Sequence, residues 1–252
     1  MALLDTTVTG SLPKTAPDDA EAGWALVLCW SADEPHRVGE VLQLPKTAPL
    51  LVGRGEARAD DPHTRAQLLR QRPGISLKQP PLTSKRLSRQ QLRIEPLRGQ
   101  IRVDVLGRCP TFVNGARVAK RAQLSEGDTL LLEEALLFVC VRRARELPPL
   151  RDHDDPRFPF GAVDDFGIVG ESPSAWQLRD RAAFVAPAPG HVLLTGDSGV
   201  GKELVAQALH RQSPRAEGRL VARNAATLPE GIIDAELFAH AANYQNPGTP
   251  ER

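Results

Sequence analysis

Between Trp24 and Arg143 apolar residues come in short runs separated by turn residues, and no stretch carries an apolar stripe at helical period. That is the pattern of an all-β domain. The expected strands are WALVLCW (Trp24–Trp30), GEVLQLP (Gly39–Pro45), PLLVGR (Pro49–Arg54), QQLRIEP (Gln90–Pro96), QIRVDVL (Gln100–Leu106) and TFVNGARV (Thr111–Val118). A longer run, TLLLEEALLFVCVRR (Thr129–Arg143), is expected to break near Glu133–Glu134 into a hairpin. Asn114–Gly115, flanked by β-formers, is a turn signal because both residues tolerate positive φ.

On either side the pattern changes. Residues 1–22 are rich in Thr, Pro, Asp and Ala without periodicity, which predicts a flexible leader. Ala144–Phe166 is dense in Pro and charge and reads as a linker. From Gly167 onward helix (Ser174–Phe184), strand (His191–Thr195), helix (Gly201–Gln212), strand (Arg219–Asn224) and helix (Pro229–His240) alternate. Such alternation belongs to a parallel α/β sheet, of which only the first strands are present. The expected organisation is therefore a leader at 1–22, a β-sandwich at 23–143, a linker at 144–166 and part of an α/β domain at 167–252.

Composition narrows the function classes. No apolar run approaches the roughly 20 residues of a membrane span, and the N-terminus lacks the basic-then-apolar order of a secretory signal, so a cytoplasmic protein without a membrane partner is expected. Cys29, Cys109 and Cys140 are odd in number and far apart, which implies neither a disulfide framework nor a zinc site; they read as packing residues. The net charge of +1 excludes a globally basic nucleic-acid binder. Yet between Thr64 and Val103 stand ten basic residues (Arg65, Arg70, Arg72, Lys78, Lys85, Arg86, Arg89, Arg93, Arg98, Arg102) against Glu95 alone. This is either a solvated basic face or an anion-binding surface. The stretch holds no aromatic residue, which disfavours base stacking on single-stranded nucleic acid and makes a phosphorylated protein segment the better ligand.

A second anion site is written at His191–Glu203, HVLLTGDSGVGKE. An apolar strand runs into a glycine-rich loop and a helix start. Gly196, Gly199 and Gly201 allow the tight turn that aims backbone N–H groups and a helix N-terminus at phosphate, with Lys202 as the point charge. Glu203 stands where the general P-loop pattern has a Ser or Thr for Mg2+.

Two resemblances follow. LLVGRG (Leu50–Gly55), LSRQQLRI (Leu87–Ile94), DVLGRCPTFVNG (Asp104–Gly115) and LSEGDTLLL (Leu124–Leu132) match in order and spacing the GR, SRxH, NGTxVNG and LxxGD elements of forkhead-associated (FHA) domains. The region from about Gly23 to Arg143 thus resembles an FHA β-sandwich, a fold that binds phosphothreonine peptides. By that resemblance Arg54 and Ser88 contact the phosphate with Arg89 and Thr111 nearby, and a phosphothreonine-containing protein is the implied partner. The family's His falls on Gln91 and its Asn-Gly pair on Cys109–Pro110. A scaffold or dimer contact with no ligand is the other reading of this domain.

The second segment resembles the AAA+ ATPase module of sigma-54-dependent transcription activators over GIVGESPSAWQLRDR (Gly167–Arg181), GKELVAQALHRQSPRAEGRLVARNAATLPE (Gly201–Glu230) and IIDAELFAH (Ile232–His240). In that family glutamate follows the P-loop lysine, as Glu203 does here. The resemblance implies ATP and Mg2+ as cofactors, with Ile168, Val169 and Gly170 against the adenine. It places Gly196, Asp197, Ser198, Gly199, Val200, Gly201, Lys202 and Glu203 around the phosphates. The family's GAFTGA loop, which touches sigma-54, is replaced by AHAANYQNPGTPER. Its Walker B acid, arginine finger, lid helices and helix-turn-helix fall beyond Arg252, so no catalytic residue, no protein metal ligand and no DNA-binding domain is expected in this chain, and ring assembly only in a complete module. The leading expectation is a transcriptional regulator of sigma-54-activator type in which an FHA phosphothreonine sensor controls an ATP-binding AAA+ module. The alternatives are a phosphopeptide-binding adaptor with a vestigial nucleotide site, and a truncated product without function.

Overall fold

The computed structural model describes residues 22–152 and 157–224. Thirteen strands run in chain order: β1 (Ala22–Ser31), β2 (Val41–Gln43), β3 (Leu50–Val52), β4 (Thr64–Arg65), β5 (Leu69–Arg72), β6 (Ile75–Lys78), β7 (Leu92–Leu97), β8 (Gln100–Val105), β9 (Thr111–Val113), β10 (Ala116–Val118), β11 (Arg121–Leu124), β12 (Thr129–Leu132) and β13 (Leu136–Ala144). Two helices follow, α1 (Pro173–Val185) and α2 (Lys202–Gln212).

The strands form two sheets, one of eight strands in the order β10-β9-β12-β13-β1-β2-β5-β6 and one of five in the order β11-β8-β7-β3-β4. Pairing is antiparallel except between β3 and β4. Period-two alternation sets the inner faces: Leu26 and Leu28 from β1, and Leu136, Phe138 and Cys140 from β13, point inward beside Leu130 and Leu132. Ile94, Ile101 and Val103 meet them from the five-stranded sheet. Burying an aromatic or aliphatic side chain of this size contributes about 1.5–3 kcal/mol. The hairpin expected at Glu133–Glu134 forms, with Glu134 at φ 52°. The Asn114–Gly115 turn has both residues at positive φ, 49° and 79°.

Several expectations change. β5 and β6 pair as a hairpin across Pro73–Gly74 that no hydrophobic alternation announces, because β6 is exposed along its whole length. Cys109 and Cys140 pack in the core as expected, whereas Cys29 lies at a register shift in β1 and is exposed. In the C-terminal segment α1 and α2 form at the expected places, but His191–Thr195 has no regular structure and no strand partner among the described residues, and its Leu193 is 87% exposed. A lone parallel strand has no neighbour to complete its hydrogen bonds, so no sheet forms there among the described residues. Arg219–Asn224 is likewise irregular, and the helix expected at Pro229–His240 lies outside the described residues. α1 and α2 belong to the same compact unit as the sandwich. No helix among the described residues is long and apolar enough to cross a membrane.

Candidate functional site

The ends of β3 and β7 and the turn after β8 converge on Ser88. Gly53 sits so close to the following turn that a Cβ there would lie 1.9 Å from the Arg89 carbonyl oxygen, so only glycine lets the segments cross. Arg54 leaves this crossing with its N–H donating to the Ser88 carbonyl at 3.2 Å and its Nε to the Leu87 carbonyl at 2.9 Å. One edge of the guanidinium is thereby fixed beside Ser88. The Ser88 Oγ accepts from the Arg108 N–H at 3.0 Å, which orients the hydroxyl and leaves its proton to donate.

Gln91, fully buried, ties the two loops together. Its Nε2 donates to the Cys109 carbonyl at 2.9 Å, and its Oε1 accepts from the N–H groups of Ser88 (3.2 Å) and Cys109 (3.3 Å). A Cβ on Gly107 would lie 2.2 Å from that Oε1, so this glycine too is required by close approach. Thr111 is buried below the rim, its hydroxyl donating to the Cys109 carbonyl at 3.3 Å. The Arg89 side chain is exposed and makes no hydrogen bond or ion pair among the described residues. Arg54, Ser88 and Arg89 thus share one rim, Thr111 supports it from beneath, and Arg108 joins it through the backbone, a role for which the sequence holds no signal.

The basic stretch from Thr64 to Val103 is less open than its composition suggests. Arg65 pairs with Asp61, Arg70 with Glu40, Arg72 with Glu171, Arg86 with Asp33, Arg93 with Asp104 and Arg102 with Glu95. All but the last partner lie outside the stretch, so the local excess of charge is largely neutralised in space and the anion-binding reading narrows to the rim around Ser88.

The glycine-rich loop precedes α2. Gly196, Gly199 and Gly201 all have positive φ (151°, 79° and 90°), and Gly201 is the left-handed N-cap of α2. Lys202 reaches back into the loop, its Nζ donating to the carbonyls of Gly196 (2.9 Å) and Asp197 (2.7 Å). Val205 N–H donates to the Gly201 carbonyl, so the N–H groups before it have no acceptor within the helix. Those N–H groups, the positive end of the helix dipole and the Lys202 ammonium fit a polyphosphate. Asp197, Ser198, Gly199, Val200 and Glu203 are exposed, and the acidic Glu203 lies in the first turn. Among the described residues no group of three or more His, Cys, Asp or Glu is arranged for a metal ion.

Beside α2 lies the loop Gly167–Gly170. A Cβ on Gly167 would touch Leu204 of α2 at 3.5 Å. The loop is held by an ion pair that the sequence does not announce. Arg179 of α1 and Asp164, 1% and 2% exposed, pair at 2.7 Å. Asp164 Oδ1 accepts the Ile168 N–H at 2.8 Å, while the Arg179 Nη1 and Nη2 donate to the carbonyls of Gly170 (2.8 Å) and Ile168 (2.9 Å). Burial pushes the Asp164 carboxyl up, but the bonds from Arg179 and from the Ile168 and Phe166 N–H groups outweigh it and hold the group below the usual carboxylate range. Ile168 is buried and Val169 is 64% exposed beside it. Arg211 of α2 donates to the Asp165 carbonyl at 3.1 Å.

Comparison with known proteins matches both segments. The family model of the FHA domain covers residues 52–133, and that of the sigma-54 interaction domain covers residues 168–245. The chain joins an FHA domain to a sigma-54 interaction segment. Among curated relatives, the transcriptional regulatory protein ZraR of Escherichia coli K12 is 46% identical over 86 residues, 34% of this chain and 20% of that protein. The anaerobic nitric oxide reductase transcription regulator NorR of Escherichia coli O1:K1 is 46% identical over 82 residues, 32% of this chain and 16% of that protein. The chain thus spans about a fifth or less of the length of these relatives. Solved FHA domains from Chlamydia trachomatis (18% identity, TM-score 0.33, covering 48% of this chain and 99% of that one) and Arabidopsis thaliana (18%, 0.35, 49% and 88%) are also similar.

Proposed function

We propose that this chain belongs to a cytoplasmic transcriptional regulator of sigma-54-activator type, in which an FHA sensor at residues 23–143 reads a phosphothreonine protein and controls an ATP-binding segment at residues 167–252, through the linker at 144–166. The observation that carries the reading is the succession, in one chain, of an FHA match with a built anion rim and a sigma-54 interaction match whose P-loop lysine opens α2. Arg54 offers its free guanidinium edge and Ser88 its hydroxyl to phosphate oxygens, with Arg89 adding charge. Gln91 holds the rim together in the place of the family's histidine.

In the second segment the N–H groups of Ser198 to Lys202 and the Lys202 ammonium take the phosphates, and Ile168, Val169 and Gly170 take the adenine. Lys202 would turn from the Gly196 and Asp197 carbonyls to the phosphates of a bound nucleotide, where Mg2+ would supply charge screening. ATP binding, not turnover, is the activity assigned to these residues. With AHAANYQNPGTPER in place of the GAFTGA loop, contact with sigma-54 RNA polymerase is not assigned to this segment.

The adaptor reading, with a vestigial nucleotide site, draws on the unpaired, exposed His191–Thr195 segment. A library of phosphothreonine peptides and a fluorescent ATP analogue separate the two. Retention of phosphorylated peptides, lost in Arg54→Ala, together with Lys202-dependent analogue binding is the expected result. Peptide binding with no analogue binding favours the adaptor, and no peptide binding defeats both.

A further inference from the structure

We infer that Arg72, on β5 of the sandwich, positions the Ile168–Gly170 loop by gripping Glu171, so that the β-domain itself completes the nucleotide site. The inference rests on the reading of that loop as a nucleotide contact. Its geometry is independent of that reading.

Arg72 is a strand residue whose side-chain partners among the described residues lie in the segment from 158 to 176. Its Nη2 and Nε meet the two Glu171 carboxylate oxygens at 2.6 and 3.1 Å, a bidentate pair. Its Nη1 donates to the Phe158 carbonyl at 2.9 Å and its Nη2 to the Pro159 carbonyl at 3.0 Å. The guanidinium also lies 4.8 Å from the Phe158 ring, 5.6 Å from Phe160 and 5.5 Å from Trp176, with Phe158 and Trp176 stacked at 5.8 Å. Glu171 is 4% exposed and also accepts the Gly161 N–H at 2.8 Å. The Glu171 carbonyl in turn accepts from Arg143 of β13 at 3.2 Å. Two sandwich arginines therefore hold one residue of the second segment by side chain and by backbone.

That residue directly follows Gly170, whose carbonyl Arg179 holds. One peptide bond separates the grip of the sandwich from the grip of α1. A loop fixed on its Gly170 side by Arg179 and on its Glu171 side by Arg72 loses little further freedom when a ligand binds, and pre-organisation of this kind raises affinity. Were Arg72 only a surface cation of the sandwich, it would need neither a bidentate fork nor three aromatic rings from another segment.

The test uses the whole chain and two readouts, hydrogen exchange at the Gly161 and Ile168 amides and the Kd of a fluorescent ATP analogue with Mg2+. Arg72→Ala is expected to speed exchange at both amides and to raise the Kd, each by about tenfold, while exchange in β1 and β13 stays at the wild-type rate. Arg72→Lys, which keeps the charge without the fork, is expected to fall between. Glu171→Gln replaces Arg72→Ala should the latter lose the sandwich, with the same direction in both readouts. Faster exchange with an unchanged Kd makes Arg72 a docking residue only and overturns the inference, as does wild-type behaviour in both. A wild-type chain that binds no analogue removes the nucleotide reading, and the exchange readout then decides separately whether the latch stands.

Discussion

At the proposed anion rim, the side chains of Arg54 and Ser88 are each fixed by a neighbour. Arg54 is steered by the Leu87 carbonyl and Ser88 by the Arg108 N–H; truncating Arg54 removes its charge and its bond to Leu87, while the Arg54 N–H bond to the Ser88 carbonyl and the Gln91 bonds still hold the loop. Arg54→Ala is expected to weaken phosphothreonine-peptide affinity by about 1.5–3 kcal/mol, the range for a hydrogen bond to a charged group, read by fluorescence anisotropy. Gly107→Ala acts differently, since its Cβ would collide with Gln91 and Ser88. It is expected to destabilise the sandwich by about 1–3 kcal/mol in urea unfolding, and a stability equal to wild type would contradict the packing described. The thiols offer a check on burial: Cys140, pushed up to about 12 by burial, and Cys109, also raised by burial, are expected to stay unreacted in the native chain at pH 8 while exposed Cys29 is labelled. Arg54 and Ser88 were legible from their motif residues, and Gln91 stood out as a departure. That Gln91 makes three hydrogen bonds at the loop crossing depends on the approach of distant segments, which no local pattern records.

At the scale of elements, the strands that were legible are those with one face in the core, such as β1, β7, β8 and β13. The β5–β6 hairpin was not, because β6 buries nothing and its turn is a bare Pro73–Gly74 in a charged stretch. Conversely, the apolar run at His191–Thr195 reads as a strand but lacks a partner, which shows that a hydrophobic run predicts strand pairing only where a neighbour supplies hydrogen bonds. The Asp164–Arg179 pair escaped notice because it is charged on both sides and yet buried. Its titration can be followed. The folded-state value of Asp164 lies below the ordinary carboxylate value of about 4, so the stability it contributes is fully present above that value and is lost as the pH falls from there through the folded value. Exchange at the Ile168 amide is therefore expected to be slow and flat from pH 5 to 8, after correction for intrinsic rates, and to accelerate below about pH 4. Asp164→Asn should remove that acid dependence and loosen the loop at neutral pH as well, since a buried Arg179 left without its partner costs about 3–5 kcal/mol.

For the whole molecule, the segment 144–166, expected as a Pro-rich linker, packs against the sandwich at both of its described ends, where Leu147 is buried and its carbonyl accepts the Gly74 N–H. Phe158 and Phe160 lie against Arg72 and Arg70 of β5, and Glu171 is shared between β5 and β13. A sensor joined to its output by such contacts has a physical means of influencing it, whereas a free tether would transmit little beyond local concentration. Control of nucleotide binding at the P-loop by phosphothreonine binding at the sandwich, as proposed, can be read in a single titration. The Kd of a fluorescent ATP analogue with Mg2+ is measured with and without a saturating phosphothreonine peptide chosen for its retention on the chain. The peptide is expected to shift this Kd by about fivefold or more, as a coupling of about 1–3 kcal/mol implies, and the shift to disappear in Arg54→Ala. An identical Kd with and without the peptide would contradict it.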